Sequence, residues 1–356
     1  MIDQVFVVGT GRCGSTLISN ILRLHPRITS ISEFFSFVTD LGCQVAAAFP
    51  AQNVDGAWLW QLISTAWPRQ NLMIRHDVAM DEVLYPFAKG THRFDRNSGV
   101  PAISQVTLPH LSSDPDTLLD ELEPLVRALP SGPPGLLFQR LFELLAARQG
   151  SPVWVERSGG SLRITHRLIE HFPRARFVHI VRDGRDVALS MSKHHGFKMV
   201  LVCFQLLETL GVDPFLSMDR RWEEDMSDEL AALLPEYFTR QAFLDFATPP
   251  PLCGHYWSGE ILEGLTVLDS LPTERLLTLR YEDFLHDSER AITQLIRYVL
   301  PDESGDVASF VRRAATLLRA PSSRWMVGED KIRRQLEDAC APGLAALAAR
   351  GLSWPI

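Results

Sequence analysis

Gln4-Val5-Phe6-Val7-Val8-Gly9-Thr10-Gly11-Arg12-Cys13-Gly14-Ser15-Thr16-Leu17-Ile18-Ser19-Asn20-Ile21-Leu22 is the stretch that decides the fold. The unbroken apolar run Val5–Val8 predicts a buried strand. The glycines after it let the backbone turn closely and present unpaired N–H groups to an anion. From Ser15 to Leu24 the apolar positions Leu17, Ile18, Ile21 and Leu22 share one helical face, and His25-Pro26 stops the helix. Strand, glycine loop and helix, in that order, form the setting of a phosphate-binding loop. The spacing is that of G-x-x-x-x-G-K-[ST], but Ser15 stands where nucleotide triphosphatases carry lysine. A kinase built on this loop would need its cation from elsewhere, and Arg12, inside the loop, is the obvious one.

The rhythm repeats further along the chain. Val153-Trp154-Val155 predicts a strand, Leu162–His171 a helix, Phe177–Val181 a strand, and about Asp186–Lys193 a helix. A helix over Ile261–Leu271, a strand at Leu276–Leu279 and a helix around Ala291–Leu300 follow. Strands alternating with helices predict an α/β fold, a P-loop-like parallel sheet flanked by helices on both faces. One domain over 1–356 accommodates it. The stretches 40–150 and 197–250 lack this alternation and hold turn clusters such as Pro130-Ser131-Gly132-Pro133-Pro134-Gly135. They read as helical insertions that build a lid or acceptor pocket.

An apolar fraction of 46% supports a sizeable core. A net charge of −8, with no basic run, excludes the electrostatic footprint of a nucleic-acid binder. Lysine occurs only at 89, 193, 198 and 331, so arginine carries most positive charge, and its fork suits oxyanions. Cys13, Cys43, Cys203, Cys253 and Cys340 form no C-x-x-C pair, which fits reduced intracellular thiols. With neither a leader nor a membrane span legible, a cytoplasmic protein is expected.

The loop Gly11-Arg12-Cys13-Gly14-Ser15-Thr16-Leu17 resembles the 5'-phosphosulfate loop of sulfotransferases that use 3'-phosphoadenosine 5'-phosphosulfate (PAPS), written P-R-S-G-T-T-L. Gly11 replaces its proline and Cys13 its serine. A second signature of that family, a strand ending in Arg with Ser eight residues later, matches Phe177–Ser190 and implies that Arg182 and Ser190 hold the donor's 3'-phosphate. In motif style the chain is closest to the bacterial and tyrosylprotein-type members. The resemblance implies a donor site formed by Gly11, Arg12, Cys13, Gly14, Ser15, Thr16, Arg182 and Ser190, with Ser323 of Ser322-Ser323-Arg324-Trp325 on a donor phosphate. It implies that Arg157, in Trp154-Val155-Glu156-Arg157-Ser158, touches the sulfonate or bridging oxygen. Trp257 is placed either against adenine or in the core of a helix face.

Glu33 lies 21 residues after Arg12 and just past His25-Pro26, where tyrosylprotein-type members present a proposed glutamate base. Flanking Ile31, Phe34 and Phe35 would partly desolvate it. His76, in Arg75-His76-Asp77, is the alternative base. His194-His195 lack a carboxylate or cysteine at ligand spacing, so no metal is expected. The activity implied is transfer of the sulfuryl group of PAPS to a hydroxyl of a small-molecule or metabolite acceptor, free or carrier-bound, leaving adenosine 3',5'-bisphosphate. A P-loop small-molecule kinase and a catalytically inactive nucleotide-binding module are the alternatives. The acceptor and the oligomeric state stay open.

Overall fold

Strand β1 (Asp3–Val8) occupies the middle of a five-stranded, all-parallel sheet, and every other element is arranged around it. The computed structural model describes all residues except 1–2, 40–43, 88–91, 222–223, 225, 304, 319–324, 328–329 and 355–356. The other strands are β2 (Ile28–Ser32), β3 (Val153–Arg157), β4 (Arg176–Val181) and β5 (Leu276–Arg280), in the order β2-β3-β1-β4-β5. Phe6 pairs with Glu156 on one side and Phe177 on the other.

The apolar run of β1 is explained by burial on both faces. Val5 and Val7 pack with Ile18, Ile21 and Leu22 of α1 (Ser15–Arg23) and with Ile292, Leu295 and Ile296 of the helix Ser288–Val299. Phe6 and Val8 face the other layer, where the Phe6 ring meets Trp154 at 5.4 Å and Phe172 at 4.8 Å. Side chains of this size each contribute about 1.5–3 kcal/mol by burial.

The sheet and its flanking helices match the expected α/β class, and three elements refine it. Strand β2 was not anticipated, because Ile28-Thr29-Ser30-Ile31-Ser32 puts hydroxyls at three of five positions. Some of those hydroxyls are partnered inside: Ser30 Oγ lies 2.8 Å from Ser19 Oγ, and Ser32 Oγ accepts from Arg157 at 2.7 Å. The expected helix 162–171 begins as a 3-10 turn, Ser161–Ile164, before Thr165–His171. Within 40–150, the helix Pro134–Gln149 packs on the sheet, its Phe142 ring 5.0 Å from both Trp154 and Phe34. That part of the stretch builds core.

The chain runs from β1 to the edge strand β2, returns through β3, and crosses to β4 on the other side of β1. Such a reversal opens a crevice at the carboxyl ends of the strands. The residues stepping off those ends are Gly9, Glu33, Ser158, Arg182 and Tyr281. No helix among the described residues is long and apolar enough to cross a membrane.

Candidate active site

A cavity of about 500 Å³ lies at this crevice, lined by the loop residues Gly11, Arg12, Gly14, Ser15 and Thr16 together with Glu33, Arg163, Arg182 and Tyr281. The loop owes its shape to two left-handed residues, Arg12 at φ +63° and Gly14 at φ +96°, the second capping α1 without a side-chain cap. A Cβ on Gly14 would stand 2.2 Å from the Tyr281 ring, and one on Gly11 2.2 Å from Phe197. Glycine is therefore needed at both places for the walls to close around the loop. The first-turn N–H groups of α1 open toward the cavity, with the helix dipole behind them.

Cationic side chains converge on this end. Arg12 donates through Nε to Ser190 Oγ at 3.1 Å and through Nη1 to Glu82 Oε1 at 2.6 Å. The Arg182 guanidinium lies 4.8 Å over the Tyr281 ring and donates to the Arg12 carbonyl at 3.2 Å, bracing the loop from β4. Arg163 donates to the Tyr256 hydroxyl at 3.1 Å. Cys13 faces the core with Val5, Val7 and Ile18, and burial pushes its thiol up to about 11, so it serves packing.

Glu33 is itself in the left-handed region, at φ +55°, at the start of α2 (Phe34–Val38). Its backbone N–H donates to the Arg157 carbonyl at 2.7 Å, which fixes the turn. Its side chain accepts from Arg157 Nη1 through Oε1, and from Ser36 Oγ at 2.6 Å and the Gly159 N–H at 2.8 Å through Oε2. A carboxylate has about four acceptor positions, so these three donors leave one, and Glu33 is among the residues that line the cavity. Behind it, Glu156 is wholly buried. Burial, with the charge of Glu33, pushes its carboxyl up to about 8, against hydrogen bonds from Ser158 Oγ and the Phe35 N–H.

The cavity thus unites Gly11, Arg12, Gly14, Ser15, Thr16, Glu33 and Arg182, with Ser190 held through Arg12. Besides Cys13, which faces the core, three expected residues lie outside the lining. Arg157 is buried between Glu33 and Ser32 and is not among the residues that line the cavity. Trp257 is fully buried in the core, wedged against Gly184 and Gly343, where added Cβ atoms would stand 2.3 and 2.6 Å from its ring. His76 ends the helix Pro68–Arg75 with its ring 5.0 Å from that of Phe238, outside the lining. Ser323 lies outside the described residues.

Glu82, Arg163 and Tyr281 line the cavity without having been singled out in the sequence, and His194, set aside there as a metal ligand, lines it with them. Tyr281 alone carried a signal, as the first residue past a parallel strand.

A family profile described as "Sulfotransferase family" matches residues 135–251, from the helix against the sheet through β3, β4 and the 197–250 stretch. No curated protein matches the chain in sequence. Among solved structures, the sulfotransferase domain from the curacin biosynthetic pathway is 13% identical, with a TM-score of 0.42 over 100% of this chain and 99% of that one. A sulfotransferase from Mycobacterium avium is 14% identical, with a TM-score of 0.44 over 97% and 77%. Retinol dehydratase in complex with androsterone and inactive cofactor PAP is 12% identical, with a TM-score of 0.35 over 99% and 82%. Over residues 135–251, the family that this chain matches is the sulfotransferase family.

Proposed function

We propose that this protein transfers the sulfuryl group of PAPS to a hydroxyl of a small-molecule acceptor, with Glu33 as general base. The observation that carries this is the meeting of an anion-binding loop and an oriented carboxylate in one cavity. The residues present fit the donor: a glycine loop whose walls exclude any Cβ, a helix N-terminus, and Arg12, Arg163 and Arg182 around it. PAPS, when bound, supplies an activated sulfuryl group and a bisphosphate leaving group.

The loop amides and Arg12 hold the transferring end where negative charge accumulates, and Arg182 holds the rest of the donor. Ser190 orients Arg12, and Ser323 keeps its assignment to a donor phosphate from the resemblance alone. Arg157, Ser36 and Gly159 aim Glu33, whose remaining acceptor position takes the proton of the acceptor hydroxyl. Its place in the lining favours Glu33 over His76.

The acceptor lies against Phe37, Met80, Phe197 and Val200, an apolar wall drawn from α2 and from both the 40–150 and 197–250 stretches. A small hydroxylated molecule with a hydrophobic part fits that wall. Cys13, Cys203, Cys253 and Cys340 are buried free thiols, in keeping with a cytoplasmic location.

Thermal shift separates this reading from a kinase. Adenosine 3',5'-bisphosphate is expected to raise the melting temperature and ATP with magnesium to leave it unchanged. The reverse result defeats the proposal.

A further inference from the structure

A carboxylate reaches the loop's cation from far along the chain. Glu82 sits in a turn that follows the helix Pro68–Arg75, and it lines the cavity beside Arg12. Both its oxygens are engaged: Oε1 with Arg12 Nη1 at 2.6 Å and Oε2 with His194 Nε2 at 2.9 Å. The turn is anchored. The N–H groups of Leu84 and Tyr85 donate to the Gln105 carbonyl at 2.8 and 3.1 Å, and Met80 packs where a Cβ on Gly196 would stand 2.4 Å from its sulfur.

His194 supports Glu82 and is not poised to act on an acceptor. Its Nε2 is spent on the carboxylate, and its Nδ1 is buried without a hydrogen-bond partner. Burial of Glu82 raises its carboxyl, but the hydrogen bond and charge of His194 and the charge of Arg12 outweigh that and hold it at about 2. A full negative charge therefore stands at the one arginine of the phosphate loop.

We propose that Glu82 is an internal competitor for the donor, a specificity-determining carboxylate that engages Arg12 and yields it to the donor's anionic end. This rests on the donor reading above. Arg12 gives Nε to Ser190 and Nη1 to Glu82, so an incoming anion either takes Nη1 from Glu82 or meets the guanidinium beside a carboxylate that already draws on its charge. Either way Glu82 weakens the binding of anions at the loop. The effect falls on donor and product alike, because both present phosphate there, so Glu82 also promotes release of the bisphosphate. It favours ligands with concentrated negative charge, which alone outcompete a carboxylate already in place.

Calorimetry on the full chain tests this with two probes, adenosine 3',5'-bisphosphate and inorganic sulfate, in wild type, Glu82→Gln, Arg12→Ala and the double variant. Glu82→Gln is expected to bind both probes about tenfold more tightly, since Arg12 is then no longer held by a carboxylate. With Arg12→Ala as background the same change should alter binding less than about twofold. Unchanged or weaker binding in Glu82→Gln overturns the proposal, and damage to the fold could only weaken binding.

If Glu82→Gln does not fold, Glu82→Ala removes the same charge and gives the same reading: tighter binding supports the competitor, unchanged or weaker binding overturns it. Tighter sulfate binding with no nucleotide binding in any variant keeps the competitor and removes the PAPS assignment. Nucleotide binding that is insensitive to Glu82 does the opposite. No binding of either probe by any variant removes both.

Discussion

Arg157 and Glu33 are joined twice across the ends of neighbouring strands: the guanidinium donates to the carboxylate, and the Glu33 N–H donates to the Arg157 carbonyl at 2.7 Å. Both side chains are buried, at 3% and 6% exposure. Removing one partner leaves a buried charge alone, at a cost of about 3–5 kcal/mol. Arg157→Ala and Glu33→Gln are each expected to lose stability of this order in urea unfolding, and the double variant less than the sum. Additive losses would show that the pair is not coupled.

Arg182→Ala tests the donor site from the side of β4. The guanidinium braces the loop at the Arg12 carbonyl and lines the cavity. Affinity for adenosine 3',5'-bisphosphate should fall about tenfold to a hundredfold by calorimetry, the range of a hydrogen bond to a charged group. Unchanged affinity would take Arg182 out of the donor site.

Gly14→Ala meets two obstacles. The left-handed backbone disfavours any Cβ by about 1–2 kcal/mol, and here that Cβ would also collide with Tyr281. Gly150, at φ +68°, has nothing within 4 Å of its added Cβ, so Gly150→Ala carries the backbone penalty alone. Gly14→Ala is expected to lose more stability than Gly150→Ala and, unlike it, to lose bisphosphate binding. Equal losses with binding intact would mean that the wall does not hold the loop.

The pH dependence of stability carries the mark of Glu156. Its carboxyl titrates near 4.5 when unfolded and about 8 when buried. Between those values the unfolded chain holds fewer protons than the native one, so stability falls as pH rises. Buried His110, lowered to about 3, and His179, lowered to about 4, chiefly by burial, act in the other direction, losing stability as pH falls below 6.5. They are common to wild type and Glu156→Gln. The variant should therefore gain on wild type from about pH 4.5 upward, levelling off above about 8, in urea titrations. A constant difference would show that Glu156 is not held protonated.

Much of the sheet was legible because four strands are runs of apolar residues with helices or turns between them. Strand β2 was not, since its serines find partners, Ser19 and Arg157, that are distant in the chain. The loop, Glu33 and Arg182 were readable because each sits next to a strand end. Glu82 reaches Arg12 across 70 residues and His194 reaches Glu82 across 112, and no periodicity or spacing announces such a meeting. Trp257 admitted two readings, and only the glycines at 184 and 343, one on each flanking helix, decide for the core. Arg157 carried the right charge in the right strand. Its partner Glu33, one strand away, turns it inward.

Turnover is the most direct test of the central claim. Protein and PAPS labelled in its transferable sulfur are incubated with a metabolite extract, and products gaining SO3 are sought by mass spectrometry, with wild type and folded Glu33→Gln in parallel. Wild type is expected to form such products, and Glu33→Gln to bind adenosine 3',5'-bisphosphate but turn over about 10²- to 10⁴-fold more slowly. Equal turnover by both proteins, or no labelled product from wild type that binds the donor, would contradict the account.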